Sequence, residues 1–146
     1  MANGRNDPFS GANFLVTVSG VSEDGARAAF SEVSGLGVQI EPIEYRSGGD
    51  PTIRKIPGIR KYTNIVLKRG ITSDKAFWEW IRQAGNGQLQ MATVRIVLLN
   101  DAGEQVLRWT ARESWPCKWE GPYLNANGND VAIESIEICH EGLDLD

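Results

Sequence analysis

Two cysteines and one histidine are all that the chain offers to thiol or metal chemistry. Cys117 and Cys139 are too few for a disulfide framework at this length, and in a reducing compartment they are expected as free, partly buried thiols. With His140 alone and no CxxC spacing, a zinc site lacks ligands. Neighbouring residues on a strand point to opposite faces, so Cys139 and His140 form neither a metal pair nor a nucleophile–base pair. No run approaches the roughly 20 apolar residues of a membrane span. The opening residues, MANGRNDPFSGANF, hold no apolar signal-peptide core. Synthesis and folding in the cytoplasm are therefore expected, without direct membrane insertion. A phosphate loop of the form GxxxxGK followed by Ser or Thr is missing, and Ser34-Gly35-Leu36-Gly37 and Ser47-Gly48-Gly49 do not enter helices; both read as bends. The net charge of −4 makes nucleic acid a poor partner. No catalytic residue, metal or cofactor is expected.

The 146 residues fit one domain, large enough to bury a core without metal or disulfide. Residues 1–11 are small and polar and read as a flexible N-terminal arm; 12–143 form the domain, and 144–146 an acidic tail. Phe14, Val16 and Val18 alternate on one face of a first strand. A turn follows at 22–25. Gly35 and Gly37 mark a bend, after which Val38 and Ile40 share one parity and Ile43 and Tyr45 the other. The phase flips at Pro42, where a bulge is expected to return both pairs to one side, on an edge strand because proline donates no amide. Ser47-Gly48-Gly49-Asp50-Pro51 is a turn. Together, 36–68 read as a two-armed β-hairpin whose arms exceed the usual strand of about 5–6 residues.

A helix is expected over 73–84, capped by Ser73, with Asp74 at its positive end and an apolar stripe of Phe77, Trp80, Ile81 and Ala84. Strands at 93–99 and 105–111 flank a hairpin turn at Asn100-Asp101-Ala102-Gly103. Extended chain continues to Trp119 through an irregularity at Pro116, a loop is expected over 121–130, and 131–139 is the last strand. The fold class is mainly β: a small barrel or sandwich of two packed antiparallel sheets, closed or nearly so, with one flanking helix and a long projecting hairpin.

Three features invite function. The carboxylates Glu41, Glu44, Glu113, Glu120, Glu134 and Glu137 raise a glycosidase-type pair, but Glu134 and Glu137 have opposite strand parity. Trp78, Trp80, Trp109, Trp115 and Trp119 raise a carbohydrate-binding β-sandwich; core and interface mass is the simpler reading. Trp78 lies beside the helix stripe and is expected to touch something beyond its own core. Finally, Arg54, Lys55, Arg60, Lys61, Lys68 and Arg69 form a basic strand, while Glu134, Glu137, Glu141, Asp144 and Asp146 form an acidic pole. Head-to-tail contact between these poles is the expectation.

The stretch KIPGIRKYTNIVLKRG at 55–70, then ITSD at 71–74 and FWEW at 77–80, closely resembles the tube proteins of contractile phage tails and phage-tail-like contractile injection systems. FSEVSGL at 30–36 and ESIEI at 134–138 fit the same pattern, and the resemblance runs from about Phe9 to Leu143. It implies a structural protein, not an enzyme: six copies form a ring, rings stack into a hollow inner tube, and a contracting sheath drives the tube through a target envelope. Implied partners are the chain itself, a sheath protein, baseplate or hub and tube-terminating proteins, and lumen cargo; nucleic acid enters only as a passenger if the particle is a phage. The final particle is then a phage tail or a released extracellular device. The secreted ring protein of type VI secretion shares the fold, though not its sequence pattern here. On this reading Ile40, Ile43, Tyr45, Ile53, Ile56, Ile59 and Trp78 make contacts between subunits. Arg54, Lys55, Arg60, Lys61, Lys68, Arg69, Glu141, Asp144 and Asp146 serve ring stacking.

Overall fold

A computed structural model describes residues 13–19, 26–70, 75–88, 90–121 and 133–146. The arm at 1–11, the turn at 22–25, Ser73, Asp74 and most of the loop at 121–130 lie outside the described residues. The strands are β1 (Asn13–Ser19), β2 (Ala26–Phe30), β3 (Glu32–Ser34), β4 (Val38–Tyr45), β5 (Arg54–Tyr62), β6 (Ile65–Gly70), β7 (Ala92–Leu99), β8 (Gln105–Glu120), β9 (Ile133–Cys139) and β10 (Gly142–Leu145). The helix α1 spans Ala76–Gly85. Its start is later than the sequence suggested: Lys75 holds the N-cap position, and the Lys75 side chain makes no capping bond.

Seven strands form one antiparallel path, β2-β1-β7-β8-β9-β6-β3, and β10 joins the same sheet by pairing with β8. Long β8 is common to its two halves. It pairs with β7 and β10 through residue 114, then with β9 from Trp115 onward. The switch is made by a bulge. Ala92 faces Ser114 whereas Val94 faces Ala111, so β8 carries one residue more than β7. Glu113 absorbs it with φ 48°, a left-handed conformation unusual for a side chain other than glycine. The bulge also resets the parity, so that Ala111, Ser114 and Pro116 all point inward and are buried. A second register shift, at Pro116, is the irregularity that proline announced.

The two halves face each other across an apolar core. Val16, Val18, Val94 and Ile96 line one side; Ile65, Leu67, Ile136 and Ile138 line the other; all eight are buried. The edges β2 and β3 are consecutive in the chain, joined through Ser31, whose N–H donates to the Lys68 carbonyl at 3.0 Å. No ladder joins them, so the sheets curl toward a barrel without closing into one. Phe77 and Trp80 bury the inner stripe of α1, and Phe77 meets Phe30 edge to face at 5.3 Å.

Arg69 is inside. Its guanidinium pairs with Glu134 across the β6–β9 ladder and lies over the rings of Phe30 and Phe77, at 5.1 and 5.3 Å. Both charges are almost wholly buried, so each depends on the other. Replacing Arg69 with Ala, or Glu134 with Gln, should cost roughly 3–5 kcal/mol by breaking the buried pair. The double variant Arg69→Met/Glu134→Leu should recover most of that loss. Urea unfolding of the three variants followed by circular dichroism checks this.

Candidate assembly surface

The strands β4 and β5 form a two-stranded sheet of their own, separate from the eight-stranded sheet. The expected excursion over 36–68 is thus shorter as a hairpin, because Ile65–Gly70 returns to the main sheet as β6. Every residue of β4 is exposed, as are most of β5. Ile40, Ile43, Tyr45, Ile53, Ile56 and Ile59 all lie open, Ile59 at 71%. Val38, outside the contact set expected from the sequence, is open as well, at 57%.

The neck that carries this hairpin is tightly built. Gly35 takes φ +83°, and a Cβ there would sit 1.9 Å from the Asn64 carbonyl oxygen, so only glycine fits. Thr63 donates its hydroxyl to the Gly35 carbonyl at 2.7 Å and its N–H to the Gly37 carbonyl at 3.3 Å. Asn64 donates to the Glu137 carboxylate on β9 at 2.9 Å. The His140 ring lies against Tyr62, with Nε2 2.9 Å from the Thr63 carbonyl and Nδ1 3.2 Å from that of Gly142. The hairpin is therefore anchored at its base by side chains of β9 and the residue after it. Two glycines hinted at this neck; the partners Asn64, Glu137 and His140 are separated from it by up to about a hundred residues and carried no local signal.

Charges fall differently from the two expected poles. Arg69 is not a stacking charge, since it is buried against Glu134, and that pairing also removes Glu134 from the acidic pole. Several others find partners within the chain: Lys61 with Glu41 at 2.8 Å, Arg54 with Asp50 at 3.2 Å, Lys68 with Glu32 at 3.9 Å. The tail strand β10 zips along β8, with Asp146 on Arg108 at 3.0 Å and Asp144 on Arg112 at 3.5 Å. These surface pairs are exposed and individually weak, so they can exchange partners. Lys55, Arg60 and Glu141 make no ion pair among the described residues; Arg60 instead donates to the Tyr62 hydroxyl at 3.4 Å.

Trp78 stands half out of the helix surface, its ring 5.0 Å from that of Trp119 on β8. The two indoles are tilted by 57°, so they make no flat platform for a sugar face. Between α1 and β8, Ile81, Ala84, Gly85, Trp115, Pro116 and Cys117 line a shallow groove of about 240 Å³ that holds no carboxylate. Among the described residues no three His, Cys, Asp or Glu side chains converge as metal ligands. No helix of the described residues is long and apolar enough to cross a membrane.

Both cysteines are free, and Cys117 is more exposed than the sequence suggested. Its sulfur nevertheless sits in a polar corner, donating to the Glu137 carbonyl at 3.6 Å. Partial burial pushes the thiol up to about 12, and the neighbouring Cys139 thiol and Glu137 carboxylate add to the shift.

The family described as T4-like virus tail tube protein gp19 matches residues 10–144 of the chain. Among solved structures, the chain is 29% identical to a chain of the sheath–tube complex of an extracellular contractile injection system, PVC, in the extended state. The match covers 91% of this chain and 87% of that one, with a TM-score of 0.77. It is 28% identical to a chain of the tube-terminating cap of the anti-feeding prophage, over 100% and 99% of the two chains, with a TM-score of 0.78. Hcp1 from Flavobacterium johnsoniae shares the fold at 12% identity, covering 91% and 94%, with a TM-score of 0.55. No curated protein matches significantly.

Two outcomes follow from this geometry. Gly35→Ala should destabilise the chain by about 1–3 kcal/mol from backbone strain alone, before the clash with Asn64 is counted; thermal unfolding of the unassembled protein measures it. At pH 8, Cys117 in the folded chain should alkylate roughly 30-fold more slowly than in urea, its small thiolate fraction outweighing its higher intrinsic nucleophilicity. The gap should narrow as pH rises toward the shifted pKa. Peptide mapping by mass spectrometry reads the rates.

Proposed function

The chain belongs to the T4-like virus tail tube protein family, and from that premise we propose that it is the inner-tube subunit of a contractile injection machine. Six copies close into a ring, rings stack into a hollow tube, and sheath contraction drives the tube through a target envelope. The observation that carries this reading is the hairpin. Its aliphatic side chains and edge amides stand in water, and its own body covers neither. Such an edge invites pairing and burial by a neighbour. A heterologous contact of that kind closes into a ring when its rotation allows.

The work is mechanical, not enzymatic: rigidity and a bore, with no bond made or broken. Ile40, Ile43, Tyr45, Ile53, Ile56, Ile59 and Trp78 supply the apolar contacts. Lys55, Arg60 and Glu141, which make no ion pair among the described residues, supply the polar ones together with the exposed pairs at Arg54, Lys61, Lys68, Asp144 and Asp146. A sheath around the tube, a baseplate beneath it and a terminator above complete the partner set, in keeping with the assemblies of the similar chains. Likeness to injection-system chains at 28–29% identity over nearly the whole chain supports an extracellular device. Neighbouring genes decide between this and a phage virion: capsid genes mean a virion.

Purified protein should form rings and tubes visible by negative-stain microscopy. Ile59→Asp should abolish them while leaving the circular dichroism spectrum intact. A wild-type chain that stays monomeric at high concentration overturns the assignment.

A further inference from the structure

The phase flip at Pro42 predicts all of the hairpin's aliphatic residues on one side. The ladder places them on two. Ile40 pairs with Arg60 and Pro42 with Pro57, so over this step β4 advances two residues and β5 three. The extra residue therefore belongs to β5, where Gly58 and Ile59 together oppose Glu41. Strand β4 itself has no inserted residue, and its side chains keep strict alternation. Val38, Ile40 and Tyr62 consequently share one face, which includes the proline pair. Ile43, Tyr45, Ile56 and Ile59 share the other.

Three contacts agree with this division. Lys61 reaches Glu41 at 2.8 Å on the second face. Arg60 reaches the Tyr62 hydroxyl at 3.4 Å on the first. The space above Gly58 is filled by the Ile43 side chain, 2.9 Å from where a Cβ would sit. The first patch lies toward the neck, and the second reaches further toward the tip. The patches overlap along the ribbon, since Ile59 of the second face sits next to the Ile40–Arg60 rung of the first. One flat partner surface cannot cover both.

We infer that the hairpin is clamped between two other copies of this chain, one covering the Val38–Ile40 face and a different one covering the Ile43–Tyr45–Ile56–Ile59 face. This rests on the tube reading and adds which residues serve which neighbour. Charge supports a second copy as the occupant. Residues 38–62 hold five basic and three acidic groups, whereas the rest of the chain has six more acidic than basic groups. A basic hairpin between two acidic bodies is attracted to both. The split also separates the two steps of assembly, since one neighbour lies within the ring and the other belongs to the next ring.

A photoreactive phenylalanine analogue placed at Ile40, and separately at Ile56, in tubes grown from the purified chain tests this. Irradiation and peptide mapping should give intermolecular crosslinks to different segments from the two positions. In parallel, Ile40→Asp and Ile56→Asp should arrest assembly at different species, rings that fail to stack in one case and unclosed protomers in the other. Crosslinks from both positions to the same segment, or two variants halting at the same species, overturn the inference while leaving the tube assignment standing. No crosslink from one position means that no second copy covers that face, which overturns the inference equally. Failure of the unmodified chain to form rings at all instead removes the tube reading itself.

Discussion

The guanidinium of Arg69 is where the parts of this fold are held to one another. It sits on β6, pairs with Glu134 on β9, and is covered by Phe30 from β2 and Phe77 from α1. Four elements distant in sequence converge on one buried charge. An apolar cluster tolerates sliding; a buried ion pair does not, because misplacing either partner strands a charge in low dielectric. The unclosed gap between β2 and β3 lies next to this pair, since Phe30 ends β2 and Glu32 opens β3. With no ladder joining the two edges, Arg69 supplies a lock of side chains in place of backbone hydrogen bonds. That fixes β6, and β6 follows directly from the hairpin neck at Thr63 and Asn64.

Rigidity at the neck matters because the hairpin itself has no core. A two-stranded ribbon is marginal in water, and here only its base is tied down, through Gly35, Thr63, Asn64 and His140. Ordering these residues in advance reduces the entropy lost when a neighbour docks. The proline pair Pro42–Pro57 adds to this by fixing two backbone angles at the middle of the ribbon. Proline there also withholds amide donors, which limits random edge-to-edge pairing before the correct neighbour arrives.

Much of this was legible in the chain. The 3.6-residue stripe of Phe77, Trp80, Ile81 and Ala84 specified α1, and glycine at position 103 specified the β7–β8 turn, where it takes φ +80°. The hairpin was readable as extended, apolar and glycine-linked. What failed has a common cause. Arg69 looked like its neighbour Lys68 because a sequence shows charge but not the partner that permits burial. The Pro42 phase break was real, yet proline drew attention to β4 while the extra residue sat opposite, at Gly58. The Glu113 bulge had no signature, since a left-handed glutamate is imposed by the two sheets that β8 must serve. Cross-strand partners decide all three, and pairing is a property of the fold.

Magnitude favours dividing the proposed contact surface over a ribbon. Completely burying an isoleucine side chain is worth about 1.5–3 kcal/mol, and a half-exposed one correspondingly less. Two to four such residues on one face give several kcal/mol, whereas bringing two proteins together costs roughly 4–15 kcal/mol. On the proposed reading, one face alone holds a single partner weakly. Once a ring has closed, every further contact forms at high effective concentration and its association cost is already met. The second face then engages a neighbour that is prepositioned, so many weak contacts act together. A surface that bound strongly one partner at a time would trap stray dimers; a ribbon with two modest faces is held firmly only where several contacts close together.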